Sequence, residues 1–236
     1  MPLSHSSKER PEFDRYADSY TDLHKVSVAA SGEEPAYFSA YKAKYMASRA
    51  RNVSLTPAIL DFGCGVGNSV PHLREAFPSA VLHGSDPSSE SIRLARSRLE
   101  DTATFLESGS EALPYADGMF DLVLVACVLH HIQPSERARW MAEIRRVMKP
   151  GAQLFIFEHN MLNPLTRKVV RECPFDEDAV FLSRSELLGL ARYAGFGKID
   201  ARYVVFFPRQ LATLRPLEPL LSWLPLGAQY VIEAIA

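Results

Sequence analysis

Cysteine is scarce: the 236-residue chain has three, Cys64, Cys127 and Cys173, odd in number and widely spaced. That spacing gives no disulfide framework and no cysteine-held metal, so a reducing, cytoplasmic compartment is the expectation. Long apolar runs are missing too. The longest, LVLVACVL at 122–129, is too short to cross a bilayer and suits a buried parallel strand entering a loop. The opening MPLSHSSKERPEF has no apolar h-region, so no signal peptide is expected. Nor is there an excess of basic charge. Lys+Arg number 26 and Asp+Glu 28, for a net charge of −2 and a pI near 6.4. This balance argues against a general nucleic-acid binder, whose footprint would be basic. Internal repeats and low-complexity tracts are absent from the sequence.

What the chain does have is an ordinary globular composition, 47% hydrophobic and 23% charged, and enough length for one elaborated α/β domain. Its most informative stretch is ILDFGCGVG at 59–67: a short apolar run, Asp61, then glycines at 63, 65 and 67. This reads as a buried strand turning sharply into a helix over a surface almost bare of side chains, where a ligand can lie against backbone. A phosphate would suit the amides and the helix end that follow. A cationic nucleoside would need carboxylates nearby. The dinucleotide fingerprint G-x-G-x-x-G fails in both frames, since Asn68 and Val70 occupy its third station. The pattern present is D-x-G-x-G-x-G, and 19 residues past Gly67 stands Asp86, closing AVLHGSD. In doubly wound sheets an acid there accepts hydrogen bonds from ribose hydroxyls.

Residues 59–67 and 80–86, followed by FDLVLVACVLHHI and VMKPGAQLFIFEHN, resemble class I S-adenosylmethionine (SAM)-dependent methyltransferases of the methyltransferase type 11 kind. The resemblance covers roughly residues 55–160 by motif. It implies a three-layer α/β/α sandwich, Rossmann-like, with a seven-stranded, mostly parallel sheet and an antiparallel last strand. It also implies SAM as cosubstrate or substrate. On this reading Asp86 binds the ribose, while Gly63, Gly65 and Gly67 let the methionine portion pass the turn. Asp61 supports the amino group or the loop. Ala126 and Cys127, just past the fourth strand, line the space near the sulfonium. The adenine end falls near 108–111; where relatives often carry an acid, ESGSEALPY has Gly109, leaving the backbone N–H of Ser110 to face the ring.

Three regions follow from the pattern. Residues 1–51 carry Phe13, Tyr16, Tyr20, Tyr37, Phe38, Tyr41 and Tyr45 at helical spacings and read as an N-terminal helical lid with a turn at AASGEEP. Residues 52–207 alternate strands and helices as a parallel sheet requires, with MKPGAQ as a turn and KIDARYVVFFP as a source of the last strand pair. Residues 208–236 form an apolar tail with prolines at 208, 216, 219 and 225, expected to pack on the core or on a second copy in a homodimer rather than insert in a membrane.

Candidate chemical groups lie after strands four and five. His130 and His131 titrate near neutrality, though adjacent residues of a helix or strand do not both face one pocket. Glu158, His159 and Asn160 sit at the carboxyl edge where open α/β sheets bind ligands. Asn160 and His131, with Tyr20 from the lid, are the catalytic candidates. No pair of ligands has helical metal-binding spacing, and methyl transfer does not demand an ion, so no metal is expected. The resemblance implies transfer to a small-molecule metabolite, of the kind found in secondary metabolism, by in-line displacement at the sulfonium methyl. Such a reaction rests on alignment and water exclusion rather than on a dedicated base. The alternative is SAM cyclisation, in which the methionine amine attacks its own γ-carbon to give azetidine-2-carboxylate and methylthioadenosine.

Overall fold

A computed structural model describes residues 28–173 and 176–236. Tyr16 and Tyr20, with the first half of the expected lid, lie outside the described residues. Seven strands form one sheet: β1 (Ala58–Phe62), β2 (Val81–Asp86), β3 (Thr104–Glu107), β4 (Phe120–Ala126), β5 (Met148–His159), β6 (Gly197–Val204) and β7 (Gln229–Ile235), in the order β3-β2-β1-β4-β5-β7-β6. All neighbours pair in parallel except β7, which is antiparallel to both β5 and β6.

The near-continuous apolar runs of β1, β4 and β5 mark strands covered on both faces. Ile59, Leu60, Leu122, Val123, Leu124 and Val125 are all fully buried. Helix α1 (Pro35–Arg49), α2 (Val70–Ala76) and α3 (Ser89–Leu99) cover one face through Met46, Val70, Leu73, Ile92 and Ala95. Helix α4 (Arg137–Val147) and α6 (Arg184–Tyr193) cover the other through Met141, Ile144, Leu187 and Ala191. Each buried Val, Leu, Ile or Met among them contributes roughly 1.5–3 kcal/mol, so these runs fix the layers. Local signals agree with them. Ser88 caps α3 by accepting from Ser91 N, and Ser183 with Glu186 forms a capping box on α6.

Two stretches differ from the expectation. MKPGAQ lies inside β5: pairing jumps from Phe120↔Met148 to Leu122↔Gln153, and the extra residues loop out at Gly151, whose φ is 82°. The second strand of the expected 198–208 pair comes instead from the tail. Residues 229–235 are β7, inserted between β5 and β6 and paired with β5 from Gln153↔Ile235 to His159↔Gln229. An antiparallel strand that enters between two others needs no crossover helix, so no alternating pattern announced it.

Candidate functional site

The strand order reverses between β1 and its neighbours β2 and β4, and the crevice beyond their carboxyl ends is where such sheets bind ligands. A cavity of about 960 Å³, as bounded by the described residues, opens there. That is at the large end for small-molecule sites. Its floor is the glycine turn. Gly63 N and Cys64 N donate to Ser85 O (2.7 and 3.1 Å), tying the turn to β2. Asp86 completes the clamp: its Oδ2 accepts from Gly65 N and its Oδ1 from Ser88 N, both at 2.9 Å. A carboxylate oxygen can accept more than one hydrogen bond, so this role is compatible with a ribose contact.

The three glycines serve different ends. A Cβ on Gly63 would fall 2.5 Å from Val128 Cγ2, and one on Gly67 would fall 2.9 Å from Leu99 Cδ1. On Gly65, at φ 51°, a Cβ would meet nothing within 4 Å and would project into open space. Gly65 is the bare surface that a ligand can use.

Asp61 is 1% exposed, and its Oδ2 has no hydrogen-bond partner among the described residues. Burial, then the nearby charge of Asp86, push its carboxyl up to about 7, against help from the Ser69 hydroxyl and the Lys42 ammonium. A half-ionised carboxyl with one oxygen unpartnered, facing a cavity, is suited to a cationic ligand group, and the ammonium of SAM is such a group. With the open face at Gly65 and the carboxylate of Asp86, the residues present fit SAM. Ser110 and Ala126 also line the cavity, and Cys127 takes a left-handed φ of 59° where the chain leaves β4. A non-glycine residue held there is the kind of local strain that clusters at functional sites.

The roof is α1. Tyr45 Oη donates to Glu233 Oε1 at 2.6 Å, Arg49 Nε pairs with the same carboxylate at 3.1 Å, and Tyr45 packs edge-on against Phe157. These contacts fix α1 to β5 and β7, and Lys42 turns inward from it into the cavity. Nothing in the sequence singles out Lys42; a lysine among tyrosines at helical spacing reads as solvated surface.

The far end of the cavity is polar. His130 and His131 lie on the 3-10 turn Leu129–His131, their rings 4.1 Å apart, and both face the cavity. The rule that neighbours point apart fails because this turn belongs to neither an α-helix nor a strand. His130 Nδ1 is 2.5 Å from Glu158 Oε2, and His130 Nε2 is 3.4 Å from Asp176 Oδ1. Burial opposes charge on His130, but Glu158 and Asp176 raise it to about 10. Burial and the charge of His130 push His131 down to about 3 and His159 down to about 4. His131 is therefore neutral and a weak base. Asn160 is held away from the cavity: its Nδ2 donates to Pro225 O (3.0 Å) and Gly227 O (2.7 Å), and its Oδ1 accepts from Leu162 N (3.1 Å). It staples the connection into β7.

Residues 59–151 match a family described as "Methyltransferase domain". Among curated relatives, a norajmaline N-methyltransferase from Rauvolfia serpentina is 34% identical over 113 residues, covering 45% of this chain and 38% of that protein. A ubiquinone/menaquinone biosynthesis C-methyltransferase from Syntrophotalea carbinolica is 27% identical over 220 residues, covering 82% and 87%. The matched region spans less than half the length of the first-ranked relatives. Among solved structures, a SAM-dependent methyltransferase from Thermotoga maritima, described as a possible histamine N-methyltransferase, superposes with a TM-score of 0.66 at 21% identity over 94% of this chain and 97% of that one. Haemonchus contortus phosphoethanolamine N-methyltransferase 2, solved with SAM, gives 0.64 at 15% identity over 97% and 60%. Residues 59–151 thus carry the methyltransferase-domain pattern, and matched motifs, sheet order and a site suited to an adenosyl cation make the chain similar to class I SAM-dependent methyltransferases.

Proposed function

We propose that this protein transfers the methyl group of SAM to a small-molecule acceptor held at the polar end of the same cavity. The observation that carries the reading is the placement of Asp61, Gly65 and Asp86 on one wall of a cavity roofed by α1, with further polar groups beyond them. Asp86 takes the ribose hydroxyls and Asp61 the ammonium. The backbone at Gly65 and the left-handed turn at Cys127 border the methionine chain, and Gly109 and Ser110 border the adenine. SAM brings a methyl group already bonded to a good leaving group. Transfer forms a bond from acceptor to methyl, breaks the methyl–sulfur bond with its electron pair left on sulfur, and sends the acceptor's proton to water. The protein's task is alignment and exclusion of water. His131 contributes polarity rather than a strong base.

The cavity's size and its enclosure by α1 and by helix α5 (Pro164–Arg171) support a metabolite over a macromolecule. The N- and C-methyltransferases among the relatives point the same way. No helix among the described residues is long and apolar enough to cross a membrane. Exposed Leu220, Trp223 and Leu226 of the tail provide the surface that a homodimer would use. The test is incubation with methyl-labelled SAM and pools of amine, phenol and carboxylate metabolites, with chromatography of both nucleosides. Acceptor-dependent S-adenosylhomocysteine supports the reading. Protein-dependent methylthioadenosine formed from SAM alone above the spontaneous rate, with azetidine-2-carboxylate as its co-product, would overturn it in favour of ring closure.

A further inference from the structure

The polar end of the cavity carries a cluster of ligand atoms that methyl transfer by itself does not require. The Asp176 Oδ1 atom stands 3.4 Å from His130 Nε2 and 3.6 Å from His131 Nε2, and the three ligand atoms lie within 4.8 Å of one another. Donors about 2.0–2.2 Å from a tetrahedral centre stand roughly 3.3–3.6 Å apart. The two measured separations fall on that value without rearrangement. Behind the cluster, Glu158 engages the other ring nitrogen of His130 at 2.5 Å and also accepts from Leu129 N at 2.9 Å. A carboxylate behind a ligating imidazole fixes the tautomer that presents Nε2 and raises its basicity.

The scaffold is equally defined. Arg137 donates from Nε to Leu129 O (3.0 Å) and Ile132 O (2.9 Å) and from its Nη2 to Val180 O. Val180 N in turn donates to His130 O at 2.9 Å. One guanidinium thus joins the histidine turn to the segment that delivers Asp176, holding the donors in place before any ion arrives.

We propose that His130, His131 and Asp176 bind one divalent first-row transition metal ion, with Glu158 as the outer carboxylate that orients His130. Two imidazoles and a carboxylate favour zinc-like ions over magnesium or calcium, which prefer all-oxygen sites. Three protein donors leave at least one coordination position open to the cavity, where an oxygen or nitrogen of the acceptor can bind. The acceptor class is then one carrying a hydroxyl, carboxylate or amine that ligates the ion beside the methylated atom. That use of the ion rests on the methyl-transfer reading; metal binding itself does not.

The test is titration of the chelator-stripped full chain with Co²⁺, followed by visible absorption, with displacement by Zn²⁺ and a parallel Mg²⁺ titration. Expected are saturation at one Co²⁺ per chain, ligand-field bands of a four- or five-coordinate site, loss of those bands on adding Zn²⁺, and no response to Mg²⁺. His131→Ala and Asp176→Asn remove donors from a turn and a loop, so both should fold and each should weaken Co²⁺ binding at least tenfold. Glu158→Gln should weaken it about tenfold to a hundredfold. S-adenosylhomocysteine titration of the same samples reads the cofactor assignment separately. The proposal is overturned if wild type shows no saturable bands, or if folded His131→Ala and Asp176→Asn bind Co²⁺ as wild type does.

Discussion

Replacing Asp61 with asparagine separates the electrostatics of the site from its shape. In the folded chain the Asp61 carboxyl holds its proton until about pH 7, because burial and Asp86 oppose its charge, whereas an unconstrained aspartate releases it near 3.8. The unfolded state therefore releases this proton first, and stability falls as pH rises between those values. The full difference is worth about 4 kcal/mol, and the part between pH 5 and 8 is about 3 kcal/mol. The amide keeps the shape and removes the ionisation. The stability of Asp61→Asn minus that of wild type should grow by about 3 kcal/mol from pH 5 to pH 8 without ligand, measured by urea unfolding. A constant offset from the amide cancels in this comparison. Ligand binding should move the other way: SAM affinity for wild type should rise as Asp61 ionises through pH 7, while the variant should bind about 1.5–3 kcal/mol more weakly at pH 8 with a flatter pH profile. If the stability difference is the same at both pH values, Asp61 is not the strained carboxyl described here.

Four further substitutions have definite outcomes. Asp86→Ala should weaken SAM binding by about 1–3 kcal/mol in calorimetry, since it removes a charged acceptor from the ribose and from Gly65 N; unchanged affinity would contradict the ribose assignment. Gly63→Ala, whose Cβ meets Val128 at 2.5 Å, should lower stability by about 1–3 kcal/mol in urea unfolding. Gly65→Ala should cost only about 1–2 kcal/mol of backbone strain yet lose more in SAM affinity than in stability, as comparison of urea unfolding and calorimetry will show. Asn160→Ala removes the amide's bonds to the buried Gly227 carbonyl and to Pro225 O, so it should lower stability by about 1–3 kcal/mol with the dissociation constant for SAM unchanged; a changed constant with normal stability would return Asn160 to the site.

The glycine turn and its two carboxylates were legible because these parts are local. A strand, a bare turn and an acid at the end of the next strand occupy fixed offsets, and pairing of β1 with β2 brings Asp61 and Asp86 to one edge. The polar end of the cavity was not. His130 and His131 are separated from Asp176 by more than forty residues and meet it through a 3-10 turn and a loop, neither of which has a period to read. Asn160 stands at the end of β5, and its amide is held by carbonyls that the tail presents before it returns as β7, contacts that no local pattern announces. The tail concealed that strand: QYVIEAI follows a proline-containing stretch with exposed leucines, and only its neighbours β5 and β6 show where it belongs.

The central claim is that the turn at Gly65, Asp61 and Asp86 together receive the adenosyl cosubstrate. Crystals grown with S-adenosylhomocysteine test it most directly. The account predicts the ribose within hydrogen-bond distance of Asp86, the amino group against Asp61 and the chain between them passing Gly65. Ligand density elsewhere in the molecule, or none at saturating concentration, would contradict it.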